Sequence, residues 1–198
     1  KLLSLGGTVL RFWNKEIIDR PCLHITTPLD EKKPYPAPAY MSGIDGKYEE
    51  ALNSYEEYAS KTYFAAEAIP YFEISFGPDQ FSAFLGATLK MAEDKQTSWV
   101  EPFVTNWDAV AVAGKIKLND EKTGTWNKLL DFLKLGTEKS EGKYLISMPD
   151  MHSNMDALIA IRGPENLCMD LLDCPEKVEK ILKEVRKLYL PVTDTIFK

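Results

Sequence analysis

A chain of 198 residues is long enough for one domain with a sizeable core, and its hydrophobic share of 44% and charged share of 27% are ordinary for a soluble globular protein. A net charge of −6 argues against a nucleic-acid partner. No apolar run approaches the ~20 residues that span a bilayer, so no membrane is expected, and Leu2 to Leu10, broken by Gly6-Gly7, does not read as a signal peptide.

Lys1 to Asp19 mixes apolar and charged residues and reads as a lead-in over one end of a core. Cys22 to Thr27 is the first predicted strand, ended by Pro28. Lys32 to Pro38 carries Pro34, Pro36 and Pro38 and is a loop. Leu52, Tyr55, Ala59, Tyr63, Ala66 and Ile69 recur at three or four residues and predict a helix over 47–69. Tyr71 to Phe76 is the second predicted strand, closed by Gly77-Pro78. A short helix over 79–85 ends at Gly86. Residues 88–124 are the least periodic and suit short strands or a hairpin. Thr125 opens a helix running to about Leu135.

Tyr144 to Met148 is the third predicted strand, and the loop 149–156 follows it with Asp150, His152 and Asp156. In barrels built of βα units, sites lie where strands end, so these three are the candidate catalytic residues. Each has a bland alternative. Ser153 with Asp156 fits a capping box, and one of only two histidines can be structural. Asp150 precedes the cap and has no such role. Arg162 ends the helix 156–161, where a cation suits the helix dipole; its functional alternative is an anion clamp. Trp107 and Asp108 are weaker substrate-binding candidates, along with Trp99 and Glu101, because tryptophans in an irregular stretch also serve as core plugs. The last helix starts at Asp173-Cys174-Pro175-Glu176, with Val178, Ile181, Leu182, Val185, Leu188 and Tyr189 as its buried stripe. Cys22, Cys168 and Cys174 form no CxxC pair and read as reduced thiols in a cytoplasmic protein.

Several segments together resemble the uroporphyrinogen decarboxylase superfamily, which includes the heme-pathway decarboxylase and corrinoid-dependent methyltransferases. They are Phe12-Trp13 through Ile18-Asp19-Arg20-Pro21; the second strand with Gly77-Pro78 and Gly86; Trp99-Val100-Glu101-Pro102 with Trp107-Asp108; and, most specifically, Asp156 to Val178 with Ile161-Arg162-Gly163-Pro164-Glu165. The resemblance implies an α/β fold. Residues 1–198 would form a single domain, the N-terminal portion of a (β/α)8 TIM-type barrel, with about three parallel strands and their helices. The decarboxylase subgroup carries an Arg-Gln-Ala-Gly-Arg run where this chain reads Thr27-Pro28-Leu29-Asp30-Glu31-Lys32-Lys33, and a catalytic aspartate where it has Gly77. Lysine does not replace a bidentate arginine fork. The reading is therefore a methyltransferase-like enzyme using a corrinoid or thiol methyl acceptor, with tetrapyrrole decarboxylation and a non-catalytic ligand-binding barrel as alternatives. Zinc and corrinoid are implied only through a second half of the barrel, since His152 is followed by Ser153-Asn154 and not by x-Cys; no metal ligand is assigned here. The expected partners are a small-molecule substrate, a tetrapyrrole or a corrinoid protein. Three strands cannot close a barrel, and the chain begins at Lys1. We therefore expect a cut product that self-associates or meets a missing C-terminal half through its open edge.

Overall fold

Two of the three predicted strands lie side by side. In the computed structural model, which describes residues 11–16, 20–94, 96–108, 118 and 124–198, β3 (Tyr71–Glu73) pairs in parallel with β6 (Leu145–Ser147). Tyr71 stands opposite Leu145 and Glu73 opposite Ser147. The long crossover between them holds α2 (Gln80–Phe84), an antiparallel hairpin of β4 (Thr88–Met91) with β5 (Ser98–Glu101), and α3 (Thr125–Ser140). The architecture is mixed α/β. The described strands form three two-stranded sheets and no closed barrel.

The third predicted strand does not join the parallel pair, which corrects the expectation of three parallel strands. β1 (His24–Pro28) instead runs antiparallel to β2 (Thr62–Ala66), with His24 opposite Ala66 and Pro28 opposite Thr62. The helix predicted over 47–69 is corrected by the same pairing, because α1 (Tyr48–Ser60) stops before β2. Thr62, Tyr63 and Phe64 are strand formers, and the ladder offered by β1 overrides the local helical spacing. Thr62 Oγ1 donates to the Tyr58 carbonyl at 2.8 Å, which helps close the last turn of α1.

Beyond β6 the chain is helical: α4 (Met155–Arg162), α5 (Pro164–Asp173) and α6 (Pro175–Ile196). Pro164 and Pro175 sit in first turns, where a missing N–H costs nothing. The core joins Leu52 and Tyr55 of α1, Phe72 and Ile74 of the second strand run, Leu129 and Phe132 of α3, Leu158 and Ile161 of α4, and Ile181 and Val185 of α6. Tyr48 stacks on Phe132 at 4.5 Å between ring centroids. Among the described residues no helix is long and apolar enough to cross a membrane.

After β3 the backbone turns sharply at Gly77, whose φ is 95°. A side chain there would strike Ser98 and come within 2.8 Å of Met41 Sδ. Glycine is required on both counts. The turn redirects the chain from β3 into α2 and brings residues 73–80 against the loop after β6.

Candidate functional site

The carboxyl ends of β3 and β6 meet, and the polar residues that follow each strand converge there. Asp150 Oδ2 lies 3.5 Å from His152 Nε2, both side chains nearly half exposed at 44% and 47%. The pair is held from behind. Gln80, fully buried at the start of α2, donates through Nε2 to the Asp150 carbonyl and to Ser75 Oγ at 3.1 Å. Its Oε1 accepts the Phe76 N–H at 3.1 Å. Ser75 Oγ also accepts the Gly77 N–H at 3.2 Å. The Ser75 hydroxyl proton is therefore directed to Tyr40 Oη at 3.3 Å, and the Tyr40 proton to Asp150 Oδ2 at 3.5 Å. The backbone N–H of His152 donates to the Pro78 carbonyl at 3.4 Å. This chain of donors ends on the Asp150 carboxylate, which faces a histidine open to solvent.

Two further carboxylates border the cluster. Burial raises the pKa of Glu73 above the usual range, and the nearby Asp150 charge adds to this. Asp79 is raised chiefly by burial; the Val100 N–H, which donates to Asp79 Oδ2 at 3.4 Å, and His152 oppose the shift, while the Asp156 charge adds to it. Burial is also the main cause of the raised pKa of Tyr40. Glu73 and Tyr40 line a cavity of about 270 Å³ between the β1–β2 pair, α1, the loop at 37–40 and β3. Asp150 and His152 do not line it; they sit outside, across Tyr40. The cavity volume suits a small molecule.

Asp156 stands exposed in the first turn of α4. The capping box expected of it does not form. The N-cap is Asn154, at φ 56° and ψ −125°, with no side-chain cap bond, and Ser153 Oγ accepts from Asn154 Nδ2 at 3.2 Å instead. Asp156 is thus not used as a cap and contributes its charge near Asp79.

The remaining candidates gather elsewhere. Arg162 binds Asp170 in a two-pronged pair, Nε to Oδ2 at 2.6 Å and Nη2 to Oδ1 at 3.1 Å. Its Nη1 also donates to the carbonyls of Val104 and Thr105 at 3.1 and 2.8 Å. Trp107, buried, donates from Nε1 to Asp170 Oδ2 at 2.6 Å, and its ring lies 5.6 Å from the Arg162 guanidinium carbon. Arg162 holds the Asp170 carboxyl below the usual range, chiefly through these hydrogen bonds. Neither Arg162 nor Trp107 is among the residues lining the cavity; with Asp170 they form a clasp that ties the 104–107 loop to α4 and α5, in line with the helix-end reading of Arg162. Asp108 is exposed and paired with Lys177 at 2.8 Å. Trp99 is 48% exposed on β5, and Glu101 pairs with Lys90 at 3.4 Å.

Sequence reasoning missed Tyr40, Glu73, Ser75 and Gln80. For two of them a signal was present: Glu73 and Ser75 interrupt an apolar run two residues apart, a spacing that puts both on one face of an extended chain. Cys22 and Cys168 are exposed, Cys174 partly buried, and among the described residues no group of three His, Cys, Asp or Glu could hold a metal ion. The resemblance places its zinc ligands in a second half of the barrel and assigns none to these residues.

Comparison with known proteins returns no matching family model, no matching curated protein and no matching solved structure. The resemblance to the uroporphyrinogen decarboxylase superfamily thus rests on the residues quoted above.

Proposed function

We propose that the chain is the N-terminal part of a (β/α)8 barrel of the uroporphyrinogen decarboxylase superfamily, in a methyltransferase-like enzyme that acts on a small molecule. The observation that carries this is the Asp150–His152 pair at the joined carboxyl ends of β3 and β6, the end at which such barrels place their chemistry. A thiol that accepts a methyl group forms a C–S bond from a sulfur electron pair and gives up its S–H proton. His152, oriented by Asp150, takes that proton, and the methyl donor keeps the electron pair of the broken bond. The thiol or a corrinoid protein is the methyl partner.

Two alternatives are weaker on this geometry. A tetrapyrrole decarboxylase needs cationic clamps, yet Arg20 and Arg162 are each bound to a carboxylate, and Lys32 and Lys33 are exposed beyond β1. A barrel that only binds would not need a carboxylate beside an accessible histidine at the ends of its strands, as Asp150 stands beside His152. Self-association, or association with the rest of a barrel, is supported by β3 and β6 each having one neighbour among the described strands, with Tyr71 and Leu145 exposed. A mass measured in solution tests that part; a monomer with both edges covered by its own chain would overturn it.

The activity is tested by following methyl transfer from methylcobalamin to small thiols through the loss of methylcobalamin absorbance. The wild-type protein should accelerate the reaction, and Asp150→Asn and His152→Gln should each lower the rate by about 10²-fold. A wild-type rate equal to background, or full rates in both variants, would overturn the reading. Carbon dioxide release from uroporphyrinogen above background would move it to the decarboxylase.

A further inference from the structure

The cavity of about 270 Å³ beside the Asp150–His152 pair has an unusual wall. Tyr40, Tyr55, Tyr58 and Tyr71 contribute rings, and Glu73 is its acidic residue. Among the described residues no lysine or arginine lines it. Tyr55 anchors the wall: it is buried and packs at 6.0 Å from Tyr58 and 5.1 Å from Phe72. Tyr71 stands at the mouth, 49% exposed and edge-on to His24 at 6.2 Å.

Three features of this wall point to one ligand chemistry. Aromatic faces carry negative potential, and a cation enclosed by several of them is attracted to all. Glu73 adds a formal negative charge in a place where burial and the Asp150 charge both disfavour it, and a bound cation would relieve both. Burial raises the pKa of Tyr40 and Tyr55 further from neutrality, which leaves Glu73 as the acidic group of the wall. A primary ammonium needs hydrogen-bond partners in place of its hydration, whereas Ala37, Pro38, Phe64 and Phe72 line the cavity beside the four tyrosines, with His24, Thr26 and Glu73 as its other polar groups. A quaternary ammonium needs no such replacement. The cavity volume sits at the small end for ligand sites, which selects a compact head group.

We propose that this cavity is a binding site for a small quaternary ammonium compound, enclosed by Tyr40, Tyr55, Tyr58 and Tyr71 and neutralised by Glu73. The inference concerns binding alone and does not depend on methyl transfer at Asp150 and His152.

The test compares choline with 3,3-dimethyl-1-butanol, its uncharged isostere, by calorimetric titration of the full chain. Choline should bind, and the isostere should bind about tenfold more weakly or not at all. Glu73→Gln and Tyr58→Leu should each weaken choline about fivefold or more, with unchanged far-ultraviolet circular dichroism. Tyr71→Leu, at the exposed mouth, provides a variant that does not disturb the core and should also weaken choline. Three results would each overturn the proposal. One is no saturation at millimolar choline. Another is equal affinity for choline and the isostere, which would mark a merely apolar pocket. The third is undiminished choline binding in folded Glu73→Gln and Tyr71→Leu.

Discussion

Replacing Asp170 with alanine removes the centre of the clasp that joins α4, α5 and the 104–107 loop. Asp170 accepts two hydrogen bonds from Arg162 and one from Trp107, and the side chains of the ion pair keep only 14% and 13% of their surface in water. Its loss strands a guanidinium and an indole N–H away from solvent. Breaking one partner of a buried pair costs about 3–5 kcal/mol; the residual exposure places this one at the low end, about 3 kcal/mol. For a chain of this size that is a fall in Tm of roughly 6–12 °C. Arg162→Met should cost a similar amount, because it leaves Asp170 and the Val104 and Thr105 carbonyls without their donor. The double variant Asp170→Ala with Arg162→Met removes both charges of the pair and should cost clearly less than the two single changes together. Urea unfolding of the four proteins completes the cycle, and choline titration of Arg162→Met should match the wild type. A cost below about 1 kcal/mol for Asp170→Ala, or strict additivity in the cycle, would refute the reasoning.

Glu73→Gln should raise Tm at neutral pH. The folded state holds the Glu73 pKa above its ordinary value, so the ionised group costs stability above that value, and the gain should vanish in melts run well below it. Glu67 has the opposite sign. Hydrogen bonds from Arg20, at 2.8 and 2.6 Å, and from the Leu23 N–H hold its pKa down to about 2. Its contribution is present above the ordinary value of 4.5 and is lost as pH falls toward about 2, so Glu67→Gln should flatten the acid limb of a stability profile. Gly77→Ala should destabilise by about 2 kcal/mol or more, read in urea unfolding, because φ is positive and Ser98 and Met41 occupy the space.

The elements that rest on local chemistry were legible without coordinates. Pro164 and Pro175 open α5 and α6, the stripe from Val178 to Val185 is buried in α6, and Gly86 follows α2. The loop after Tyr144–Met148 was legible as following a strand, which puts Asp150 and His152 at its carboxyl end; that neither residue lines the cavity beside Tyr40 was not. What local chemistry could not supply was partnership. The spacing of Tyr63 and Ala66 continues a helical stripe, yet these residues pair with Thr27 and His24, because a ladder of backbone hydrogen bonds with β1 outweighs a weak periodic preference. Arg162 was legible as a cation at a helix end. That it closes on Asp170, eight residues on, and on carbonyls near residue 104 depends on how α4, α5 and the distant loop pack. Tyr40, Glu73, Ser75 and Gln80 come from three separate segments. Only the turn at Gly77 and the parallel pairing of β3 with β6 bring them to Asp150. Side chains distant in sequence share a site only after the core has set the strand register, and that register is a property of the whole packed chain.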